Sequence, residues 1–204
     1  MPRILRISRQ KRHPNRYNLY LDDDSRISVT DDMLLQFALS SGRELNDKEM
    51  SALLQKADEV FTREKALELL SMREHSLREL SVKLRQKGYR ADIVTKVLDD
   101  LESRNYIDDE RFAALYAEEL IRSKRLGPLQ VREKLFKRGI PAENIREILE
   151  NYPSEEQIGN CRFHFEKKLP GIREENSERA AGKMIRYLQG KGFDWETISR
   201  IVRK

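Results

Sequence analysis

Leu84-Arg85-Gln86-Lys87-Gly88-Tyr89 is a stretch that returns twice, as Leu135-Phe136-Lys137-Arg138-Gly139-Ile140 and as Leu188-Gln189-Gly190-Lys191-Gly192-Phe193. Each copy has leucine first, a basic residue fourth, glycine fifth and an apolar residue sixth, and these glycines lie 51 and 53 residues apart. Glycine readily adopts the left-handed conformation that often ends a helix, and the apolar residue after it can fold back on the last turn, as in a Schellman cap. The pattern predicts helices that end at Gly88, Gly139 and Gly192.

The residues on either side of each stretch repeat as well. Apolar residues lie six, nine and ten positions after each glycine, namely Val94, Val97 and Leu98, then Ile145, Ile148 and Leu149, then Ile198, Ile201 and Val202. This spacing indicates a second amphipathic helix, which starts near Asp92, Ala142 or Asp194. One more helix is predicted upstream of each copy, over residues 62–72, 108–124 and 154–169. The unit is therefore three helices, present three times, and such units bury their apolar stripes by stacking on neighbours.

The first 30 residues have a different pattern, in which apolar and polar residues alternate. Residues 4–7, 17–21 and 27–29 are rich in aliphatic and aromatic side chains with a period of two, which is typical of strands, and residues 22–25 are a turn signal. We expect a small β-hairpin or three-stranded sheet, packed on the helix that follows because so small a sheet is not stable alone. Six basic residues precede Tyr17 with no acid among them, and they are either a nucleic-acid arm or a solubilising edge.

Helix signals begin directly after the predicted strands. Thr30 caps a helix through about Leu39, which Gly42 ends, and Asn46 caps a second helix through about Val60. The predicted fold class is mainly α: an elongated, curved array of three tandem three-helix repeats with a small N-terminal β-hairpin/helix extension. The predicted parts are an N-terminal extension of a β-hairpin plus two helices at 1–60, and three-helix repeats at 61–106, 107–152 and 153–204.

The composition of the 204 residues favours thin helical packing over one large core. Hydrophobic residues make up 38% and charged residues 37%, against about 45–50% and about 25% in typical globular proteins, so a thick α/β enzyme is not expected. No apolar run approaches the roughly 20 residues of a membrane span, and residues 1–16 lack the apolar region of a secretory signal. The single cysteine cannot form an internal disulfide, so we expect a reducing, cytoplasmic compartment.

Charge is distributed by helix, within a formal net charge of +5. The middle helices, at 76–90, 128–139 and 178–192, carry +4, +3 and +3, whereas the third helices at 91–104 and 141–151 each carry −2. Either these helices pair within the protein through weak surface salt bridges, or a repeated basic stripe matches a polyanion or a polymer with a repeating acidic surface. Recurrence in all three copies favours the basic stripe. The candidate binding residues are Arg78, Lys83, Arg85, Lys87, Arg132, Lys134, Lys137, Arg138, Lys183 and Arg186.

No group of residues indicates catalysis. The three histidines are scattered and lack the spacing of metal ligands. Cys161 shares a predicted helical face with Ile158, Phe165 and Leu169, which favours a core position over a nucleophile. The acids at 22–24 fit a turn better than a divalent-ion site, and no glycine loop of the phosphate-binding kind is present. We therefore expect neither an enzyme, such as a metal-dependent nuclease, nor a cofactor.

Tyr106-Ile107-Asp108-Asp109-Glu110-Arg111-Phe112 is the most distinctive heptad of the chain. Its first two acids fall at a predicted helix start, where they cap amides and interact favourably with the helix dipole. Gly127-Pro128 indicates a turn into a helix that has proline at its first position. The residues predicted to be structural caps are Gly88, Asp108, Asp109, Gly139 and Gly192.

Three motifs in this order resemble the RecX family of recombination regulators: Ser76-Leu77-Arg78-Glu79-Leu80, the heptad at 106–112, and Gly127-Pro128. The resemblance covers about residues 60–204, although the third repeat lacks the heptad and the glycine-proline start. It implies a non-enzymatic protein that lies in the groove of the RecA–single-stranded DNA filament and inhibits the ATPase, strand-exchange and coprotease activities of RecA. Such a protein limits recombination and the SOS response, and the basic middle helices would contact the filament.

A second class of function is a sequence-specific DNA-binding regulator, because three-helix units resemble helix-turn-helix folds. Those folds read bases with a basic recognition helix, whereas the third helices at 91–104 and 141–151 are acidic and would be repelled by phosphates. We therefore rank this function below the first. The expected partners are the RecA filament and, weakly and without sequence preference, single- or double-stranded DNA. No membrane partner is expected, and the chain is expected to be a monomer.

Overall fold

The computed structural model describes residues 1–172 and 177–202, and the chain divides into two compact units. The first unit contains Met1–Met72 and Ser81–Leu101, and the second contains Arg73–Leu80 and Glu102–Lys204. Within the described ranges, no helix combines the length and the apolar character that crossing a bilayer requires.

The alternating N-terminal pattern forms a three-stranded antiparallel sheet. Its strands are β1 (Ile4–Arg9), β2 (Arg16–Leu21) and β3 (Arg26–Thr30), in the order β1-β2-β3. The predicted turn joins β2 to β3, and in it the carboxylate of Asp23 accepts a hydrogen bond from the amide of Ser25 at 3.0 Å. Because β3 pairs with β2, the N-terminal element is the three-stranded sheet and not the two-stranded hairpin, the two alternatives that the sequence left open.

One face of the sheet packs on two helices, α1 (Asp31–Gln36) and α2 (Asp47–Met72). Thr30 caps α1 through its hydroxyl, and Asn46 caps α2 by accepting the amide of Glu49 at 2.9 Å, as predicted. Full burial of one aliphatic side chain stabilises a fold by about 1.5–3 kcal/mol. A small sheet without the helices would leave these side chains in water and would lose this stabilisation. The buried members of this core are Ile4, Leu19, Leu21, Ile27, Val29, Met33, Leu39, Leu45, Leu53 and Ala57.

Two predicted helix ends are wrong. α1 ends at Gln36 rather than near Leu39, and Ala38 beyond it has a positive φ of 46°, which does not continue a helix. α2 is one helix of 26 residues, so the predicted break after Val60 is absent and the boundary at residue 60 falls inside it. No glycine or proline interrupts it, and its buried side chains keep a helical spacing across that point. They are Leu53, Ala57, Thr62, Ala66 and Leu69.

The remaining described helices follow the predicted order of each repeat. They are α3 (Leu77–Gln86), α4 (Ala91–Ser103), α5 (Asp109–Glu118), α6 (Pro128–Lys137), α7 (Ala142–Glu150), α8 (Ser154–Lys168), α9 (Ser177–Gly190) and α10 (Trp195–Val202). A π-helical turn, Glu119–Ser123, continues α5, and a 3-10 turn, Leu169–Gly171, follows α8. The fold is thus mainly helical, with three three-helix units and a small N-terminal sheet.

The three repeated glycines end the middle helices in one common geometry. Gly88, Gly139 and Gly192 have φ values of +90°, +87° and +91°, as the sequence predicts. In each copy the glycine amide donates to the carbonyl three residues earlier, at 3.0, 2.9 and 2.8 Å. The next amide donates to the carbonyl of the repeated leucine, at 3.2, 3.3 and 3.3 Å. These paired bonds define a Schellman motif, and the accepting leucines are fully buried.

The second and third repeats each enclose a small core. In the second it contains Phe112, Ala113, Ala117, Leu120, Leu126, Val131, Leu135, Ile140 and Ile145, and in the third Cys161, Met184, Leu188, Phe193, Ile198 and Ile201. The pKa of the Cys161 thiol is raised to about 12, mainly by burial and to a smaller extent by the charge of Asp194. The thiol therefore stays protonated in the core. Leu169, predicted on the same face, is instead exposed because α8 ends before it.

Candidate functional site

The basic helices α6 and α9 meet end to end within the second unit. The amide of Gly127, just before α6, donates to the carbonyl of Lys191 at 2.9 Å, and the amide of Leu129 donates to the carbonyl of Gly192 at 3.0 Å. The first amides and the last carbonyls of a helix have no partner inside it, so each helix end satisfies the other. Opposite ends of the two helix dipoles also face each other, which is favourable.

A corresponding junction joins the first turn of α3 to the end of α6. The hydroxyl of Ser76 donates to the carbonyl of Arg138 at 2.7 Å. Ser76 and Gly127 each lie twelve residues before the capping glycine of their repeat, and Arg138 and Lys191 each lie one residue before theirs. Equivalent positions therefore form both junctions within the second unit.

Backbones approach closely at the junction of α6 and α9. A Cβ atom on Gly127 would lie 2.4 Å from the carbonyl oxygen of Gly192, and one on Gly192 would lie 2.4 Å from the amide nitrogen of Gln130. At the other junction, a Cβ atom on Gly139 would lie 2.7 Å from that of Arg78. Real Cβ atoms do not approach other atoms this closely, so these glycines permit the contact between repeats as well as the caps.

The acidic heptad at 106–112 also contributes to the junction of α3 and α6. Asp108 caps α5 by accepting the amide of Arg111 at 2.8 Å, and Asp109 accepts the amide of Leu77, at the start of α3, at 2.8 Å. Burial raises the pKa of the Asp109 carboxyl, the Leu77 amide opposes that rise, and the charge of Asp108 adds to it. Each acid thus caps a helix start, one in its own repeat and one in the repeat before it.

Arg138, a candidate binding residue, is an internal ion-pair partner in the structure. Its guanidinium lies 2.7 Å from the carboxylate of Glu79, which is 8% exposed and also lies 2.5 Å from Arg73. Burial alone would raise the pKa of the Glu79 carboxyl, but the hydrogen bond from Arg73 and the charges of Arg138 and Arg73 lower it to about 2. Arg138 also lies over the ring of Tyr116, so its side chain supports the fold of the second unit.

The other candidates on α6 have three different environments. Lys137 is exposed and pairs with Glu133, one helical turn away, at 2.5 Å. Lys134 is half-buried, and Arg132 is exposed at the edge of a groove between α6 and α7. Arg78, at the start of α3, is exposed but its side chain covers Gly139. Among the predicted residues of this helix, Arg132 is the cation that best fits a surface contact.

The candidates on α9 lie together on one exposed face. Lys183 and Arg186 line a shallow depression with Arg179 and Gly182, and Glu178 is the acid at its edge. Residues 179, 183 and 186 are spaced by four and three, which places their side chains on the same side of a helix. Gly182 leaves this side open, and the face is a concentrated positive patch.

The first unit holds the remaining candidates, Lys83, Arg85 and Lys87, at the C-terminal end of α3. Arg85 and Lys87 are exposed, and neither forms an ion pair with any residue in the described ranges. The acidic helix α4 is different, because Asp100 pairs with Arg63 of α2 at 2.5 Å. Within this unit, therefore, Asp100 is used in an internal ion pair, whereas Arg85 and Lys87 face solvent.

Phe136 is a surface residue that the charge pattern did not identify. It is 63% exposed and lines the groove of about 610 Å³ between α6 and α7, with Ile145 and Leu149 at its floor and Arg132 at its rim. Exposed aromatic side chains beside apolar grooves are typical of protein-binding surfaces. The signal was present in the sequence, because Phe136 follows Leu135 and so falls off the Val131–Leu135 core stripe.

Four family models match the chain, and together they cover most of it. The RecX N-terminal domain of regulatory protein RecX matches residues 2–46, and the first, second and third three-helix domains of RecX match residues 63–101, 108–149 and 155–202. The third match supports the repeat that was assigned from glycine spacing alone.

Individual relatives agree with these models. Regulatory protein RecX of Oceanobacillus iheyensis is 31% identical, across 100% of this chain and 77% of its own length, and that of Bacillus subtilis is 33% identical, across 98% and 75%. A crystal structure of regulatory protein RecX superimposes with a TM-score of 0.72 and 26% identity, covering 100% of this chain and 99% of that one. RecX from Lactobacillus salivarius, at 23% identity, a TM-score of 0.61 and coverage of 72% and 95%, shares the fold.

Proposed function

The chain belongs to the RecX family, and from that premise we propose that it is a non-enzymatic regulator of the RecA recombinase. It binds the groove of the RecA–single-stranded DNA filament and chiefly inhibits the ATPase, strand-exchange and coprotease activities of RecA. This action limits recombination and the SOS response. The protein acts as a monomer in the cytoplasm, and its binding to DNA alone is weak and independent of sequence.

The observation that carries this proposal is the series of basic middle helices. Within the second unit, equivalent junctions, Ser76 with Arg138 and Gly127 with Lys191, connect the start of one repeat's middle segment to the end of the next. A filament presents the same surface at regular intervals, so several modest contacts act together through their effective concentration. Each exposed ion pair contributes only about 0–1 kcal/mol, and the repetition supplies the strength of binding.

In this proposal, six of the ten candidate residues have an assigned role. Arg85, Lys87, Arg132, Lys183 and Arg186 are exposed and serve as filament contacts in this proposal, whereas Arg138 supports the fold through Glu79. The groove beside Phe136 is the surface that contacts a RecA protomer, because its apolar floor suits a protein side chain better than a phosphate.

Sequence-specific DNA binding is the competing function, and the helices disfavour it. The last helix of a helix-turn-helix unit enters the major groove, but α7 presents Glu143, Glu147 and Glu150 and has one arginine, Arg146, which lies 3.7 Å from Glu150. Acids at these positions repel phosphates. The basic residues lie instead on the middle helices.

The test is a RecA ATPase assay on single-stranded DNA with wild-type protein and two matched variants. The basic variant is Arg85→Ala with Lys87→Ala, two of the exposed contacts assigned above, and it leaves Arg138 and its buried partner intact. The loss of two surface contacts, about 1–2 kcal/mol together, should raise the half-inhibitory concentration about 5- to 30-fold, and each single change should have a smaller effect.

The control variant is Asp99→Asn with Glu102→Gln on the acidic helix α4, which should inhibit like the wild type. Full inhibition by the basic variant together with loss of inhibition by the acidic one would show that the opposite helices face the filament. Absence of inhibition by folded wild-type protein would refute the proposed function itself.

A further inference from the structure

The face of the N-terminal sheet that points away from its helices carries a row of two arginines around a tyrosine. Strand pairing places Arg6 opposite Tyr20 and Tyr20 opposite Arg26. The guanidinium carbon of Arg6 lies 4.2 Å from the centre of the Tyr20 ring, which is a stacked cation–π contact. Arg6 and Arg26 are exposed, and neither forms an ion pair with any residue that the structure describes.

A row of small polar side chains lies beside it on the same face. Ser8, Asn18 and Ser28 are opposite one another on the three strands. Gln10 connects two of them, because its side-chain nitrogen donates to the oxygen of Asn18 at 2.8 Å and to that of Ser28 at 3.1 Å. These half-buried groups form a flat, polar surface with donors and acceptors next to the tyrosine.

Three of the other basic residues of the N-terminal stretch have structural roles. Arg3 donates to the carbonyl of Gly42 at 3.1 Å, and Arg16 pairs with Glu64. Arg9 donates to the carbonyl of Pro14 at 2.5 Å. These three arginines therefore differ from Arg6 and Arg26, whose side chains remain exposed on the outer face.

The ends of the sheet differ in charge. The exposed Lys11 and Arg12 occupy the connection between β1 and β2, whereas three aspartates occupy the turn between β2 and β3. Two of those acids are engaged in the local backbone, because Asp22 accepts the amide of Arg3 and Asp23 that of Ser25, each at 3.0 Å. An anionic chain is therefore favoured across the arginine row and towards the Lys11 end.

We infer that this outer face of the sheet binds single-stranded nucleic acid. One base stacks on the Arg6–Tyr20 pair, and Arg26 contacts the phosphate backbone. The row of polar side chains that contains Asn18 contacts base edges. Stacking on aromatic rings and on guanidinium planes, with cations along the backbone, is how sheet surfaces hold unpaired nucleotides. The site is separate from the middle helices and does not require RecA.

The surroundings of the tyrosine agree with an anionic ligand. The hydrogen bond with Ser8 lowers the pKa of the Tyr20 phenol, burial opposes that effect, and the charges of Arg6 and Arg26 lower the pKa further. The ring therefore sits in a positive field. An acidic peptide would match this field but would leave the stacked ring and the polar row without a function, so we favour nucleic acid.

The experiment measures binding of full-length protein, without RecA, to two labelled strands of about 15 nucleotides, a thymidine oligomer and an abasic strand of equal charge. Wild-type protein should bind the thymidine strand more tightly. Tyr20→Thr, which keeps a strand-forming residue and removes the ring, should weaken binding to the thymidine strand about 5- to 100-fold and leave the abasic strand unchanged. Tyr20→Phe should retain wild-type affinity, and thermal unfolding checks that each variant is folded.

The charge variant Arg6→Gln with Arg26→Gln should weaken binding to both strands. Its matched control, Lys48→Gln with Arg162→Gln, removes two exposed charges elsewhere and should bind both strands about as tightly as the wild type. Equal wild-type affinity for both strands, or competition by polyglutamate as strong as that by the thymidine strand, would overturn the inference. Because RecA is absent, this outcome is independent of the ATPase result.

Discussion

Gly88, Gly139 and Gly192 share one backbone conformation but have different surroundings. A Cβ atom on Gly88 would meet nothing within 4 Å, one on Gly139 would meet the side chain of Arg78, and one on Gly192 would meet the backbone of Gln130. The left-handed φ has a similar cost for alanine in all three. The contacts differ in severity, because the approach on Gly139 is 2.7 Å and only its Cδ part can be relieved by rotation of the Arg78 side chain, whereas the approach on Gly192 is 2.4 Å and is to a backbone atom.

Alanine substitutions should therefore destabilise the protein in a graded order. Gly88→Ala should cost about 1 kcal/mol of unfolding free energy, Gly139→Ala about 1–2 kcal/mol and Gly192→Ala about 3 kcal/mol, since overpacking adds to the backbone strain. Urea unfolding measures these differences. Gly159→Ala is the control, because this glycine lies inside α8 with open space around it and alanine there should stabilise by about 0.5–1 kcal/mol. Equal costs at the three capping sites would contradict the close approach between repeats.

Glu79 should make stability depend on acidic pH. Its folded-state pKa is about 2, below the ordinary value of 4.5, so its stabilising contribution is present above pH 4.5 and is lost as the pH falls towards 2. Glu79→Gln removes that contribution and should reduce the free energy of unfolding near neutral pH by about 1–3 kcal/mol. The gap between wild type and variant should narrow below about pH 4.5. Glu166→Gln, which changes an exposed acid on α8, is the control and should show no such narrowing. If the difference between wild type and Glu79→Gln does not change with pH, the Glu79 carboxylate is not the source of the pH dependence.

At the scale of the element, two consecutive residues of α6 lie on different faces of the helix, about 100° apart. Leu135 is fully buried and its carbonyl closes the Schellman motif, whereas its neighbour Phe136 is 63% exposed in the groove with α7. One face therefore holds the second repeat together and the other is available to a partner. Adjacent large hydrophobic residues in one helix thus have separable effects.

Substitutions at these two neighbours should separate stability from function. Leu135→Ala should lower the free energy of unfolding by about 2–5 kcal/mol through loss of core packing. Phe136→Ser should change stability by less than about 0.5 kcal/mol, as is usual for surface positions, but should weaken inhibition of RecA. Unfolding curves and ATPase inhibition, measured on the same preparations, test both effects. If Phe136→Ser inhibits as well as the wild type, the groove does not contact RecA.

At the scale of the whole molecule, the surface cations should make binding to duplex DNA weak, non-specific and sensitive to salt. With about four phosphate contacts, the affinity should fall on the order of 100-fold between about 50 and 200 mM salt, because bound cations are released from the DNA. Filter binding or fluorescence anisotropy with unrelated duplexes measures this dependence. Tight binding of one duplex sequence that persists at physiological salt would instead support a helix-turn-helix regulator.

The sequence by itself determined those features that depend on residues close together in the chain. Glycine caps need one residue that tolerates a positive φ and a leucine four positions before it, so the three middle helices and their ends followed from spacing alone. The caps at Thr30, Asn46 and Asp108 are equally local, and so is the period of two that predicted the strands. Repetition of these local signals was sufficient to predict the mainly helical fold with a small sheet.

Only the tertiary structure decided which surface residues are available for binding. Arg138 has the same local sequence signature as Lys191, but its ion pair is with Glu79, 59 positions earlier in the chain, and no spacing rule reports such a contact. The continuous α2 and the row of Arg6, Tyr20 and Arg26 likewise depend on packing across strands and helices. Charge counts along a helix predict where cations lie, whereas their freedom to bind depends on carboxylates that only folding brings near.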